Sequence, residues 1–245
     1  MAARETLGAG ANLADEVRRS ARERPDSDAV RHAGGRISWA ELDADVDALA
    51  AALRKDLRLG RGARVALALS NTPAFVTSYF AILRAGLVAV PLNPGYTAPE
   101  MARLLGEADA AAVLTEPATH PVLEEAVADT RRALVDGAGY DALLASGRSA
   151  PPPPDTTGGE DLAVLLFTSG TSGRPRGARL SHRALMANHE QCLRLEPTPM
   201  VAGDVVLLVL PLFHIYGLNA GLGMVARTGA TALLVERFDP RECLE

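Results

Sequence analysis

Short apolar runs alternate along the chain with amphipathic stretches that open on capping residues. Ser38 and Glu41 form a capping-box pair, and Trp39, Leu42, Val46, Leu49 and Leu53 follow at helical spacing. The pattern predicts a helix opening at Ser38, the first clear element, and ending at Gly60 and Gly62. Val65 to Leu69 contains no polar position and reads as a buried strand. Thr72 as N-cap and Pro73 at the first helical position predict a second helix, with Phe75, Tyr79, Phe80 and Leu83 facing inward. Gly86 stops it, and Leu87 to Leu92 reads as the next strand.

The alternation continues. Thr97 and Glu100 cap a helix running to about Glu107, followed by a strand at Ala110 to Thr115, a helix at Pro121 to Thr130 and a short strand at Arg132 to Val135. Beyond residue 160 come a strand at Leu162 to Thr168, a polar loop, a strand around Ala178 to Leu180 and a helix capped by Ser181. Strand Val205 to Leu210, helix Ile215 to Arg227 and strand Ala230 to Val235 complete the series. Strands alternating with helices predict an α/β fold, with mostly parallel sheets flanked by helices.

One stretch interrupts this rhythm. From Ala150 to Glu160, four consecutive prolines precede Asp155, Thr156, Thr157, Gly158 and Gly159, a composition that supports only a surface connector. Three portions are therefore expected: residues 1–149 as a first α/β portion, 150–160 as the connector and 161–245 as a second portion. A loop inside one domain fits the connector better than a boundary between two.

Composition narrows the classes. Hydrophobic residues make up 48% of the chain and aromatics only 4%, so Ala, Val and Leu must build the core. The formal net charge of −5 argues against a nucleic-acid-binding face, although one small anion needs only a local positive patch. No histidine, cysteine and carboxylate group has metal-ligand spacing. Cys192 and Cys243 read as two buried thiols of a reducing compartment, with a disulfide between them as the open alternative. Met1 to Asn12 has no apolar leader core, and the longest apolar run, Val205 to Phe213, falls far short of the roughly 20 residues of a membrane helix. The expectation is a cytoplasmic protein with no transmembrane segment.

The chemistry concentrates in Leu166 to Gly177, where four hydroxyls, three glycines and two arginines follow a hydrophobic strand. Glycine lets backbone N–H groups approach an anion closely. The hydroxyls of Thr168, Ser169, Thr171 and Ser172 can donate to phosphate oxygens, and Arg176 adds a planar, permanently charged fork. Arg174, Arg176, Arg179 and Arg183 follow one another with no carboxylate between them, in a chain that is acidic as a whole. A polyphosphate grip fits this composition, and so does a plain surface turn followed by a solvated basic stretch. No Gly-Lys-Ser/Thr ending and no Gly-x-Gly-x-x-Gly is present.

The ten residues Thr168 to Gly177, T-S-G-T-S-G-R-P-R-G, resemble the phosphate-binding loop of the adenylate-forming superfamily: acyl-CoA synthetases, luciferases and peptide-synthetase adenylation domains. That family carries lysine before the final glycine, where this chain has Arg176; the charge is kept and the geometry changes. Pro211-Leu212-Phe213-His214-Ile215-Tyr216-Gly217 resembles the family's Pro-x-Phe-His-x-x-Gly segment. Asn71 to Pro91, with Ala85-Gly86, and Leu180-Ser181-His182 with Asn188 match in the same order. The likeness covers almost the whole chain and favours the CoA-ligase branch.

The resemblance implies the first portion of the large N-terminal domain of that fold, with the C-terminal domain absent. It implies ATP-dependent activation of a carboxylic acid, most readily a fatty acid, to acyl-AMP and then acyl-CoA. ATP and CoA are the implied small-molecule partners, and Mg2+ arrives with the nucleotide. Thr168, Ser169, Gly170, Thr171, Ser172, Gly173 and Arg176 are the implied nucleotide contacts, Thr168 also lies near the metal, and His214 borders the acyl site. His182 and His189 are expected to support their helix. The family's adenine, ribose, hinge and catalytic-lysine segments would lie beyond Glu245, and Lys55, the only lysine, sits in the wrong context to replace the last. The chain alone is therefore expected to be inactive and to self-associate through an exposed apolar face. Two alternatives stand beside this reading: a non-catalytic nucleotide-binding or scaffold module, and the adenylation domain of a peptide synthetase.

Overall fold

A computed structural model of the chain describes residues 12–127, 133–135, 137–154, 157–168 and 176–236. Its elements are helix α1 (Asp15–Glu23), strands β1 (Asp28–His32) and β2 (Gly35–Ser38), helix α2 (Trp39–Lys55), β3 (Arg64–Ala68), α3 (Pro73–Arg84), β4 (Val88–Pro91), α4 (Ala98–Ala108) and β5 (Ala110–Thr115). There follow α5 (His120–Val127), β6 (Ala133–Val135), α6 (Gly137–Gly147), β7 (Leu162–Thr168), β8 (Arg176–Ser181) and α7 (His182–Cys192). The last are β9 (Val205–Leu208), a π-wound helix (Tyr216–Gly223), α8 (Met224–Thr228) and β10 (Thr231–Leu234).

Local chemistry explains the helix starts. The Ser38 hydroxyl accepts from the Glu41 N–H at 3.2 Å while the Glu41 carboxylate accepts from the Ser38 N–H at 2.7 Å, a reciprocal cap on α2. Thr72 accepts from Phe75 N–H at 3.3 Å, with Pro73 filling the first helical position of α3. Glu100 receives the Thr97 N–H at 2.9 Å and opens α4 in the same way.

The strands form two sheets. One has the order β6-β5-β3-β4-β7-β8 and the other β2-β1-β10-β9. All pairings are parallel except β7 with β8 and β1 with β2. β4 pairs with β7 across the Pro/Gly connector, so the larger sheet runs through it without a break. Alternation along the strands divides that sheet's two faces. Val65 and Leu67 of β3 and Val164 and Leu166 of β7 turn toward α2 and α3, whereas Ala66, Ala68, Val88 and Val90 meet Met101, Leu104 and Leu105 of α4.

Several elements depart from the sequence pattern. α1, the β1/β2 hairpin and α6 have no counterpart among the expected elements. The helix expected from Ser38 ends at Lys55, before the glycines. The helix expected over Ile215 to Arg227 is π-wound through a stretch containing Gly217, Gly221 and Gly223 and becomes α-helical at Met224. The part of the helix expected beyond Val127, up to Thr130, lies outside the described residues.

Buried charge ties the helices together. Arg84 on α3 is almost fully buried and pairs with Asp43 at 2.7 Å and Asp47 at 2.8 Å, both on α2, while also donating to the Ala14 carbonyl. Such an arginine is tolerable only because its charge and most of its donors are met.

Candidate active site

The carboxyl ends of β3, β4, β5 and β7 share one edge of the parallel sheet, the edge where ligands of open α/β sheets collect. β7 leaves that edge at Thr168, and the chain returns along β8 from Arg176. Thr168 and Arg176 stand opposite each other in the ladder, and the Thr168 hydroxyl donates to the Arg176 carbonyl at a long 3.4 Å. Both residues are exposed, and the Arg176 side chain makes no ion pair with a described residue. The seven intervening residues, 169–175, lie outside the described residues; by connectivity they join two strand ends held in register.

The second sheet is tied to the same edge through Asn71, which follows β3. Its carboxamide nitrogen donates to the carbonyls of Leu208 at 3.2 Å and Leu210 at 3.0 Å, and its oxygen accepts the Leu212 N–H at 2.8 Å. Asn71 thereby holds the turn after β9, which carries Phe213 and His214, against the carboxyl end of β3. Gly217 is required below this turn, because a Cβ there would lie 2.5 Å from the Pro211 carbonyl oxygen.

Beside the turn opens a cavity of about 550 Å3. Its walls are Leu180 from β8; Ala184, Leu185, Asn188 and Cys192 from α7; Leu195, Pro199 and Met200 from the following loop; and Ile215, Tyr216, Asn219 and Ala220 with Met224. The lining is apolar except for the two carboxamides, the Cys192 thiol and the Tyr216 hydroxyl. Asn219 is buried and sits in a chain of hydrogen bonds: Nδ2 donates to the Leu185 carbonyl at 3.3 Å and to Asn188 Oδ1 at 3.0 Å, and Oδ1 lies 2.9 Å from His189 Nε2. His189 is wholly buried. Burial pushes its imidazole down to about 4, against the raising effect of the Asn219 contacts, with Arg227 lowering it and Glu190 raising it further down the order. The ring is neutral at pH 7.

Residues 17–245 match the family described as AMP-binding enzyme. The chain belongs to that family. Across it, 4-coumarate–CoA ligase 1 of Oryza sativa subsp. japonica is 36% identical over 225 residues, covering 84% of this chain and 39% of the ligase. A long-chain-fatty-acid–CoA ligase of Bacillus subtilis (strain 168) is 28% identical over 267 residues, covering 92% and 46% respectively. The crystal structure of ATP-bound MatB from Rhodopseudomonas palustris superposes with a TM-score of 0.82 at 28% identity, covering 95% of this chain and 46% of MatB. The chain thus spans less than half the length of these AMP-binding enzymes and shares their fold over nearly all of its own.

Among the residues that the sequence singles out, Thr168 and Arg176 are brought face to face at the end of the β7/β8 hairpin. Ser169, Gly170, Thr171, Ser172 and Gly173 lie outside the described residues, as does Arg174. Of the remaining basic run, Arg183 is paired with Glu160, and Arg179 lines a small groove with Arg61 and Arg64 at the opposite end of the strands. Because β8 runs back from the tip, each step along it carries the charge away from Thr168.

His214 is exposed on the turn, its ring 5.6 Å from that of Phe213, and it is not among the cavity's lining residues. Its chain neighbours Ile215 and Tyr216 are. His182 and His189 do support their helix. His182 Nδ1 accepts the Leu13 N–H at 3.0 Å, and His189 anchors α7 to Asn219. Cys192 is half-buried in the cavity wall; Cys243 lies outside the described residues. Sequence reasoning did not find the cavity itself. The repeated spacing of Leu185, Asn188 and Cys192 on one face of α7 was the available signal.

Proposed function

We propose that the protein carrying this chain activates a carboxylic acid with ATP and passes the acyl group to the thiol of CoA. In the first step a carboxylate oxygen attacks the α-phosphorus, the bond from that phosphorus to the bridging oxygen breaks, and acyl-AMP and pyrophosphate form. In the second, the thiol gives up its proton, its sulfur attacks the acyl carbon, and the acyl–oxygen bond to AMP breaks. Both steps depend on alignment and on stabilising charge more than on covalent help from the protein.

The β7/β8 hairpin supplies the charge. The hydroxyls of Thr168, Ser169, Thr171 and Ser172, the backbone of Gly170 and Gly173, and the Arg176 guanidinium donate to the β- and γ-phosphate oxygens that depart as pyrophosphate. The single observation that supports this assignment is the pairing of Thr168 with Arg176 at the carboxyl end of β7, both exposed and without a competing ion pair among the described residues. Thr168 offers one hydroxyl to a metal, and no group of three or more His, Cys, Asp or Glu residues able to hold an ion occurs among the described residues. A hard hydroxyl oxygen of this kind fits Mg2+, which Thr168 would help to hold beside the nucleotide. When bound, the ion would supply positive charge against the phosphates.

The acid we propose has an apolar body, fatty or aryl, lodged in the cavity between α7 and the π-wound helix, with His214 at its border. The two relatives described above are named for coumarate and for a long-chain fatty acid, which supports an apolar acid and leaves both classes open. No helix among the described residues is long and apolar enough to cross a membrane, and we assign the reaction to the cytoplasm, where ATP and CoA are at hand.

Calorimetric titration with Mg-ATP tests the assignment. Arg176→Ala is expected to weaken binding about tenfold or more, and Arg176→Lys to restore most of it. Equal affinity of the Ala variant and the native protein would remove Arg176 from the phosphate site.

A further inference from the structure

The hydrogen bonds around Asn219 run in one direction only, and the direction follows from chemistry. The Leu185 carbonyl can only accept, so the Asn219 atom 3.3 Å from it is the nitrogen. The other carboxamide atom is then the oxygen, which can only accept, so His189 Nε2 carries the ring proton and donates to it. A second contact agrees: His189 Nε2 also lies 3.2 Å from the Asn219 carbonyl, another obligate acceptor. The Asn219 nitrogen has a second proton, given to Asn188 at 3.0 Å, so the Asn188 atom receiving it is the oxygen. What remains of Asn188 is its NH2 group, which makes no hydrogen bond to a described residue, on a residue that lines the cavity.

Several features hold this order in place. His189 is wholly buried and stays neutral across the physiological range, so Nε2 remains a donor of fixed sense. Gly223 packs against the same nitrogen, since a Cβ there would lie 2.5 Å from Nε2. Reversing Asn219 would set its oxygen against the Leu185 carbonyl and its nitrogen against a donor.

We infer that α7 presents an N–H donor, the Asn188 carboxamide, to the largely apolar cavity, and that the acid accepted there carries a hydrogen-bond acceptor oxygen in its tail. Asn219 and His189 act as positioning residues, setting the sense of the donor. The inference rests on reading the cavity as the acyl site. Asn188 is exposed on the cavity wall, so an acid seated there displaces water from this donor; an ether, ketone or alkoxy oxygen replaces the lost hydrogen bond, whereas a methylene does not.

Adenylation assays on the full enzyme with matched acids test it. Decanoic acid would be compared with oxa analogues in which one methylene at a time becomes an ether oxygen, and para-ethylcinnamate with para-methoxycinnamate. The native enzyme is expected to prefer the oxygen-bearing member of at least one pair by about tenfold in kcat/KM. Asn188→Asp keeps the shape and the bond from Asn219 but offers only acceptors, and it is expected to abolish or invert that ratio, whatever happens to the absolute rates. Leu185→Trp, which fills the cavity, should depress kcat/KM for every acid. If Leu185→Trp suppresses turnover but no oxygen is preferred, or the preference survives Asn188→Asp, the donor role is wrong and the acyl-site reading stands. If Leu185→Trp leaves every acid unaffected, the cavity is not the acyl site and both fall.

Discussion

Asn71 accepts the Leu212 N–H at 2.8 Å, although the two residues lie 141 positions apart. The bond joins the carboxyl end of β3 in one sheet to the turn after β9 in the other, and the same carboxamide also satisfies two carbonyls of that turn. Asn71→Ala would take the partner from the buried Leu212 N–H and from the Leu210 carbonyl, and leave the Leu208 carbonyl only the long 3.5 Å bond from the Val235 N–H. It is expected to lower stability by roughly 2–3 kcal/mol, measured by urea unfolding, because each orphaned buried group costs on the order of 1 kcal/mol or more. A loss below about 0.5 kcal/mol would mean that the turn does not depend on it.

His189 has an acid signature. Its native value is about 4 and its ordinary value 6.5, so below the latter the unfolded chain takes up a proton that the native state refuses. Its contribution is complete above pH 6.5 and is lost as pH falls toward 4, a total of roughly 3 kcal/mol. Glu16 acts in the opposite sense: burial raises it despite Arg19 and Arg227, so acid relieves it. The ring's own proton resonances separate the two. They should show no titration between pH 8 and about 5, and a midpoint near 6.5 would contradict the buried, neutral ring.

Gly223 should tolerate no side chain. A Cβ would meet two His189 ring atoms, Nε2 at 2.5 Å and Cε1 at 2.8 Å, and Asn219 Oδ1 at 3.2 Å. Gly223→Ala is expected to cost about 1–3 kcal/mol through overpacking. Thermal unfolding of the variant checks this, and an unchanged midpoint would show that the ring can move aside.

The edge of the smaller sheet carries a line of exposed apolar side chains: Val205 at 49% exposure and Leu207 at 44% on β9, with Leu210 and Tyr216 just beyond. Among the described residues β9 pairs with β10 on one side and with no strand on the other. We expect the 245-residue chain to self-associate along this edge. Light scattering should show concentration-dependent growth that Val205→Lys with Leu207→Lys suppresses, and a native chain that stays monomeric at all concentrations would count against it.

Capping made much of this fold legible. Ser38 with Glu41, Thr72 with Pro73, and Thr97 with Glu100 announce their helices because the bonding groups sit three residues apart in the chain. α1 is not legible in the pattern because two of the three buried positions, Glu16 and Ser20, are polar: Glu16 is made tolerable by Arg19 and the sequence-distant Arg227, and Ser20 donates to the Ala226 carbonyl. α6 begins and ends on glycine, and Gly147 packs directly against the Ala48 carbonyl, a contact that no local pattern encodes. Thr168 and Arg176 were legible as chemistry; their pairing across β7 and β8 was not, since an antiparallel register cannot be read from glycine content. The cavity was the least legible feature. Its lining comes from β8, α7, the Leu195 to Met200 loop and the π-wound helix, and tertiary packing alone brings them together.

Exchange of radiolabelled pyrophosphate into ATP by the full enzyme reads the central step without any assumption about the thiol. The account predicts exchange that requires both an apolar carboxylic acid and Mg2+, and that falls at least about tenfold when Arg176 becomes Ala. Exchange that proceeds equally without any acid, or that is indifferent to Arg176, would contradict it.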